Sequence, residues 1–552
     1  MKKQPINIGN VVGSTSPLEF RFSLKRFAAK LGDLVNVEID IPSDESAEEK
    51  RKVLVWARIT ELHRFNPFLP AEAGVELADE GLDLLDTVLS NSRDQIEANA
   101  LVLGRSAESD VTKLIPLNYP VQPGAVVTLP HESAVQRILI GDEKNIHRLK
   151  VGSLIGRKNI EVSLKTNIVV ARHMAILAMT GGGKTVVARR IIRELLEAQY
   201  PILILDPHGD YLGFWEKRDL FQKNNIKLYY PYLKVNERNR DIIGFLVSRM
   251  TQGFSDPQKE VFHDVMELVK LDKRDVQIRT FIDELLQKLT NYKSRHHGTV
   301  PAVRRGLRLV ERQMGAMQES NKVLRLRLKD FPFEPMPDPV TMPHKFIYPG
   351  QASILYLGGY DHLTQSSIVA LVLKQLFEER ASMINRIPPF LTVVEEAHNF
   401  IPSRGEGQME TPSTDIIRKI ITEGRKFGTG LLLISQRPSR LDETTLSQCN
   451  TFVVFRLVNP RDQAFVEKVM ENLSKSDSKL LPGFGPGQGI VSGQAVRFPL
   501  VIQAKYDEDL VTKSLGDEDF LAAANKWSSS PEAEATIRSS LLEDDLKEAD
   551  KS

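Results

Sequence analysis

The chain has 552 residues, of which 41% are hydrophobic and 26% charged, the ordinary balance of a globular protein. At roughly 150 residues per domain, this length predicts three or four domains. Lys plus Arg number 73 and Asp plus Glu 72, a net charge of +1, so a nucleic-acid site has to be local rather than global. The single cysteine, Cys449, excludes an intrachain disulfide framework and a multi-thiolate zinc site. Met1-Lys2-Lys3-Gln4-Pro5 carries charge without an apolar stretch behind it, and so does not read as a signal peptide. No run approaches the roughly 18–20 apolar residues of a membrane span, and the expected address is cytoplasmic.

Residues 1–165 read as a β domain. Val35, Val37, Ile39 and Ile41 alternate with Asn36, Glu38 and Asp40, the period of a half-buried strand. Val53, Val55, Ala57 and Ile59 repeat that spacing less cleanly, because Leu54 and Trp56 stand between them. Turn signals follow at Pro123-Gly124 and Gly152, short apolar runs lie at 101–103 and 126–129, and one helix is expected over 71–89. Many short strands with turn punctuation predict a small barrel.

From about 166 the pattern changes. Apolar runs at 174–179, 202–205, 354–357, 391–394, 431–434 and 452–455 alternate with helical patterns, which predicts an α/β fold with a parallel sheet covered on both faces. Residues 166–235 and 341–515 form its two parts, and 236–340 break the alternation. There Val261, Phe262, Val265, Met266 and Val269 share one helical face, as do Ile278, Phe281, Ile282, Leu285 and Leu289. Asp256-Pro257 marks a helix start, and the stretch reads as an inserted helical subdomain. The tail 516–552 holds ten acidic and four basic residues; it is either a solvated end or a partner-docking segment.

Ala178-Met179-Thr180-Gly181-Gly182-Gly183-Lys184-Thr185 follows an apolar run and opens an amphipathic helix with Val187, Ile191 and Leu195 on one face, the context of a phosphate-binding loop. Gly181, Gly182 and Gly183 let backbone N–H groups converge on phosphate oxygens, and the helix N-terminus adds a favourable dipole. ATP is the expected nucleotide. Thr180 belongs to the loop, Lys184 is placed for the β- and γ-phosphates, and the Thr185 hydroxyl for Mg²⁺. Ala178 stands where the pattern asks for glycine, which is tolerable if its backbone is not at positive φ.

A second apolar run ends in Glu395-Glu396-Ala397-His398. Glu395 takes the position that orients the Mg²⁺ shell, more often an Asp, and Glu396 the position that polarises the attacking water. A third run ends in Ser435-Gln436-Arg437-Pro438. Gln436 is either a γ-phosphate sensor or a residue that closes the strand end.

The chain resembles the HerA ATPases of the HerA/FtsK group of hexameric DNA translocases. The residues that carry this are Arg172-His173-Met174-Ala175-Ile176-Leu177 running into the phosphate loop, Leu205-Asp206-Pro207-His208-Gly209-Asp210-Tyr211, and Glu395-Glu396-Ala397-His398-Asn399-Phe400. Glu423-Gly424-Arg425-Lys426-Phe427-Gly428, Ser435-Gln436-Arg437-Pro438 and Gln448-Cys449-Asn450-Thr451 complete them. The match spans roughly 170–460, with the N-terminal β region and the stretch 481–499 similar to the family's barrel and C-terminal end. The resemblance implies a RecA-like core, a homohexameric ring and ATP-driven movement along double-stranded DNA. It implies Arg425 as an arginine finger acting on a neighbour's ATP, Arg172 as a second basic residue reaching that site, and Asp206 as an acid assisting Glu396. By themselves these three read equally as a surface helix charge, a solvated strand residue and a helix cap.

The family's partners are NurA-type nucleases or, in anti-phage systems, sirtuin-type and other effectors, with the barrel as the docking face. The chain shows no nuclease metal cluster in its sequence, so cutting is expected of a partner. Candidate DNA contacts are the loop 402–415 with Arg404, Trp215-Glu216-Lys217-Arg218, and the basic stretch Arg304, Arg305, Arg308, Arg312, Arg325 and Arg327, which reads first as a solvated helix face. The competing reading is an assembly platform whose ATP state gates an effector. A membrane-linked DNA pump is disfavoured by the lack of a spanning segment, and an ABC-type ATPase by the lack of a Leu-Ser-Gly-Gly-Gln signature.

Overall fold

The computed structural model describes residues 6–510 except 43–49, 68–93, 108–109, 111, 142–145, 238, 252–253, 272–275, 294–297, 328–330, 383–385, 404–409 and 471–472. The helix expected over 71–89, Arg404 and the acidic tail therefore lie outside the described residues.

The first strands are β1 (Ile6–Val12), β2 (Glu19–Leu24), β3 (Leu34–Pro42), β4 (Lys50–Phe65), β5 (Gln95–Ser106), β6 (Leu114–Ile115) and β7 (Val126–Leu129). In the order β2-β1-β7-β3-β4-β5, with β5 pairing back onto β2, six of them close an antiparallel barrel, and β6 adds to β5. Val35, Val37, Ile39 and Ile41 of β3 and Val53, Val55, Ala57 and Ile59 of β4 fill its interior. The untidy alternation of β4 has a physical cause. Trp56 and the partly buried Leu54 point out of the barrel and pack into the core of the larger sheet, so both faces of that strand are apolar.

The second sheet draws on β8 (Arg148–Leu154), β9 (Arg157–Lys165), β10 (Met174–Leu177), β11 (Ile202–Asp206) and β12 (Asn225–Tyr230). After β13 (Lys234–Val235) and β14 (Val276–Gln277), which pair with each other, come β15 (Glu334–Pro335), β16 (Gln351–Tyr356), β17 (Phe390–Val394), β18 (Thr429–Ser435), β19 (Thr451–Phe455), β20 (Gln488–Gly493) and β21 (Leu500–Ala504). Among the described residues the sheet order is β15-β12-β16-β11-β17-β18-β10-β19-β20-β21-β8-β9. From β15 to β19 the neighbours are parallel; from β19 to β9 they are antiparallel. The expected parallel sheet is thus mixed. The strands β8 and β9, read with the barrel in the sequence, hydrogen-bond to β21 of this sheet. Both alternate like barrel strands, and only their partner distinguishes them.

Helices cover both faces. Lys184–Glu197, between β10 and β11, buries Val187, Ile191 and Leu195 on one side. His362–Ala381 and Thr414–Phe427 bury Ile368, Leu376, Ile417 and Ile420 on the other. Four helices follow β12 in sequence: Arg240–Met250, Asp256–Glu267, Ile278–Thr290 and Thr299–Arg327. The second is entered through Ser255, which exchanges capping bonds with Gln258, with Pro257 in the first turn. The buried faces of the second and third contain the apolar residues that the helical period picked out, except Val269, which is buried just past the end of the second helix.

Candidate active site

Strand β10 lies between β18 and β19, so the loop after Leu177 meets the C-terminal ends of both. The Ala178 N–H donates to Ser435 O at 3.3 Å and the Met179 N–H to Arg456 O at 3.0 Å, pinning the loop on either side. Ala178 is fully buried and is not at positive φ, so a methyl is tolerated there. Gly181 and Gly183 do need glycine, with φ of 76° and 112°. The space around Gly181 is open, since a Cβ there would meet nothing within 4 Å. The helix from Lys184 begins without a side-chain cap, and its first N–H groups have no intrahelical partner. Open space, uncapped N–H groups and a lysine together fit a phosphate chain.

Lys184 is buried and its ammonium spans two carboxylates. Its Nζ lies 2.6 Å from Glu395 Oε1 and 3.1 Å from Glu396 Oε1. Burial would depress the lysine, but the two carboxylates outweigh it and hold its pKa above the ordinary value. The same lysine acts differently on its partners. Glu395 is fully buried, and desolvation keeps its pKa above the ordinary range although Lys184 and Tyr211 oppose it. Glu396 feels burial less than it feels Lys184, His398 and Gln436, and its pKa is lowered. The acid most readily kept as carboxylate is therefore Glu396. Its backbone turns into the left-handed region at φ 49°, a conformation that costs about 1–3 kcal/mol and that packing around the site has to hold.

Gln436 sits between the phosphate loop and Glu396 because β18 intervenes between β10 and β17. Its Nε2 donates to Glu396 Oε1 and its Oε1 accepts from Thr180 Oγ1. His398 Nδ1 is 3.3 Å from Glu396 Oε2 and 3.2 Å from Ser435 Oγ. Thr185, half-buried, occupies the first turn of the helix after Lys184.

Asp206 is fully buried at the end of β11 and turned to its own loop. Its Oδ1 accepts from the N–H groups of His208, Gly209 and Asp210 at 3.2, 2.7 and 3.1 Å, and its Oδ2 from Tyr211 N–H at 3.0 Å. Burial, with Asp210 beside it, pushes its pKa up to about 6. This turn delivers a residue to which the sequence reading assigned no role. Tyr211 OH donates to Glu395 Oε2 at 2.6 Å. Tyr211 lies 184 positions from Glu395, and no local pattern marks the meeting.

Arg172 and Arg425 stand away from this cluster. Arg172 precedes β10, and Arg425 lies near the end of the helix that leads into β18, so both are at the N-terminal ends of the strands. They line a common cleft of about 370 Å³ with His173, Gln448, Asn450 and Gln494.

Of the DNA-contact candidates, Arg218 stacks over Trp215 at 4.4 Å. Arg305, Arg308 and Arg312 are exposed on a helix that buries Val303, Leu307, Val310 and Met314, while Arg325 and Arg327 have no described side chains. A separate cavity of about 790 Å³, lined by Tyr232, Lys234, Asn236, Asp338 and Lys345, opens near the β12–β15 edge and takes no part in the phosphate site.

The family model for the helicase HerA central domain matches residues 149–376, which include the phosphate loop and β11. Over these residues the chain is similar to the HerA family. It is 28% identical over 474 residues to the DNA double-strand break repair helicase HerA of Pyrococcus furiosus, covering 79% of this chain and 82% of that one. It is 26% identical over 536 residues to a probable helicase of Methanocaldococcus jannaschii, covering 93% and 94%. Among solved structures, the conjugative coupling protein TrwB aligns at a TM-score of 0.45 with 13% identity over 70% of this chain and 96% of that one. VirB4 of Thermoanaerobacter pseudethanolicus aligns at 0.41 with 13% identity, over 66% and 98%. With this likeness and the phosphate-loop geometry, the chain is a P-loop ATPase. No helix among its described residues is long and apolar enough to cross a membrane.

Proposed function

We propose that the chain is a cytoplasmic motor that hydrolyses ATP to move double-stranded DNA through a homohexameric ring, feeding a NurA-like nuclease or a sirtuin-type or other defence effector docked on the barrel. The observation that carries this is the separation of the two arginines from the phosphate loop. Strand β18 has seven residues, so roughly 20 Å lies between its Arg425 end and its Gln436 end. An arginine side chain does not span that distance. This separation supports Arg425 and Arg172 serving a neighbour's nucleotide, as they would in a ring.

In this reading Thr180, Gly181, Gly182, Gly183, Lys184 and Thr185 hold ATP. Thr185 and Glu395 hold Mg²⁺, which when bound neutralises charge on the phosphates. Lys184 exchanges the two carboxylates for phosphate oxygens. That exchange frees Glu396 to orient the attacking water and take its proton, while Gln436 links Glu396 to the loop. Asp206 assists by holding the turn that carries Tyr211. An arginine finger is worth on the order of 10³–10⁵ in rate. The helices within 236–340 are read as a subdomain inserted in the ATPase core, and the barrel as a domain that ends before β8.

A gating platform is the second reading, favoured by one contact. Gly487 N–H donates to Gly182 O at 3.3 Å, and the segment before it is anchored on the barrel through Asp477. Steady-state ATP turnover with and without linear duplex DNA separates the two. A motor shows turnover that rises with duplex and falls steeply with salt. A rate indifferent to DNA would sink the motor and leave the platform.

A further inference from the structure

Arg172 is held by a closed set of contacts that no part of its own ATP site explains. Its Nη1 donates to Gln494 Oε1. The Asn450 N–H donates to both Arg172 O and His173 O at 3.2 Å, and the Gln494 N–H donates to Asn450 O at 2.7 Å. The ring runs from the Arg172 backbone through Asn450 and Gln494 to the Arg172 guanidinium. The turn that presents Gln494 depends on Gly493, at φ 107°, where a Cβ would fall 2.1 Å from Asn450 O. Its position after β20 is thus set by backbone contact with the segment entering β19.

His173 joins this assembly to β18, which follows the helix bearing Arg425. It is buried, left-handed at φ 56°, and its Nδ1 accepts the Leu431 N–H of β18 at 3.1 Å. Its Nε2 is buried with no hydrogen-bond partner among the described residues. One buried ring therefore ties the segment bearing Arg172 to β18, the strand that follows the Arg425 helix, beside the shared cleft.

We propose that Gln494 is a positioning residue that aims Arg172 at the nucleotide of the neighbouring subunit, with Asn450 fixing its backbone and His173 tying the Arg172 segment to β18. This rests on the across-subunit reading of Arg172 and Arg425. An unrestrained arginine samples many rotamers, and an acceptor on the same subunit narrows them before the neighbour arrives, which is where preorganisation pays in rate. A glutamine does so without neutralising the guanidinium, as a carboxylate would.

The test is Gln494→Met, which keeps the volume and removes the acceptor, read beside Gln494→Ala. Both are expected to lower kcat about tenfold, the order of one hydrogen bond to a charged group. ATP-analogue affinity and ring mass should stay at the parent level. Mixed with Glu396→Gln subunits, Gln494→Met should regain turnover, because an intact Gln494 and Arg172 then face an intact Glu396. Parent-level turnover in both variants overturns the proposal. So does a loss that mixing leaves unrepaired while an Arg172→Ala mixture is repaired, since Gln494 then acts only within its own subunit. If neither the Arg172→Ala nor the Arg425→Ala mixture regains turnover, the across-subunit reading fails and the proposal falls with it.

Discussion

Arg58 of the barrel strand β4 and Asp477, near the C-terminal end of the ATPase core, form an ion pair at 2.6 Å with both side chains 1% exposed. The pair bridges 419 positions of sequence. Ser474 Oγ donates to the other Asp477 oxygen at 2.8 Å, and Glu61 of the same strand accepts from Ser476 at 3.3 Å. Removing one partner of such a buried pair strands a charge. Arg58→Ala is expected to cost about 3–5 kcal/mol, whereas Arg58→Met with Asp477→Leu should cost far less. Denaturant unfolding of the three proteins checks this; equal losses in single and double variants would show that the packing and not the charge matters.

Tyr211 tests how far the carboxylate pair depends on its supports. Tyr211→Phe removes a single hydroxyl from a fully buried ring. Without that donor Glu395 is held by Lys184 alone, which leaves when phosphate arrives. The expected result is a fall of about ten- to a hundredfold in kcat with ATP-analogue binding retained. Unchanged kcat would show that Tyr211 is only a core residue.

Glu396→Gln should abolish turnover while nucleotide still binds and the ring still forms. Arg425→Ala should also remove activity, for a different reason. Rings assembled from both variants should regain part of it, because some interfaces then pair an intact Arg425 with an intact Glu396. Turnover by Glu396→Gln alone refutes the role given to that residue.

His173 predicts a pH effect on stability. Burial pushes its pKa from 6.5 down to about 4. The unfolded chain takes up a proton near 6.5 and the folded chain does not, so acid favours unfolding. Stability should fall as pH drops from about 6.5 to 4, by about 1.4 kcal/mol per pH unit and roughly 3 kcal/mol in all. Asparagine tolerates positive φ and keeps an acceptor for Leu431 N–H, so His173→Asn should flatten that slope. Urea midpoints measured for both proteins from pH 4 to 8 decide it; parallel slopes would assign the acid sensitivity to other groups.

The elements visible in the sequence share one property: a short stretch of chain encodes them. Gly181-Gly182-Gly183-Lys184-Thr185 needs only its own backbone and the helix behind it. Glu395-Glu396 needs only to end an apolar strand, and the alternation of β3 needs only its own period. The departure at Ala178 was also decidable in kind, because its cost depends on one φ angle. The assignment of β8 and β9 failed for the complementary reason, since a period-2 pattern states that a strand has one buried face and says nothing about which sheet supplies it.

Which distant groups meet is a matter of the three-dimensional arrangement of the strands. The phosphate loop, its acidic strand end and the barrel pattern are legible along the chain, since these follow from local sterics and the period of burial. The meeting of Tyr211 with Glu395, the seat of Gln436 between Thr180 and Glu396, the Arg58–Asp477 pair and the hold of Gln494 on Arg172 follow from strand order. That order is set by long-range packing, and a hydrogen bond between side chains far apart in sequence leaves no trace in the local pattern of either segment.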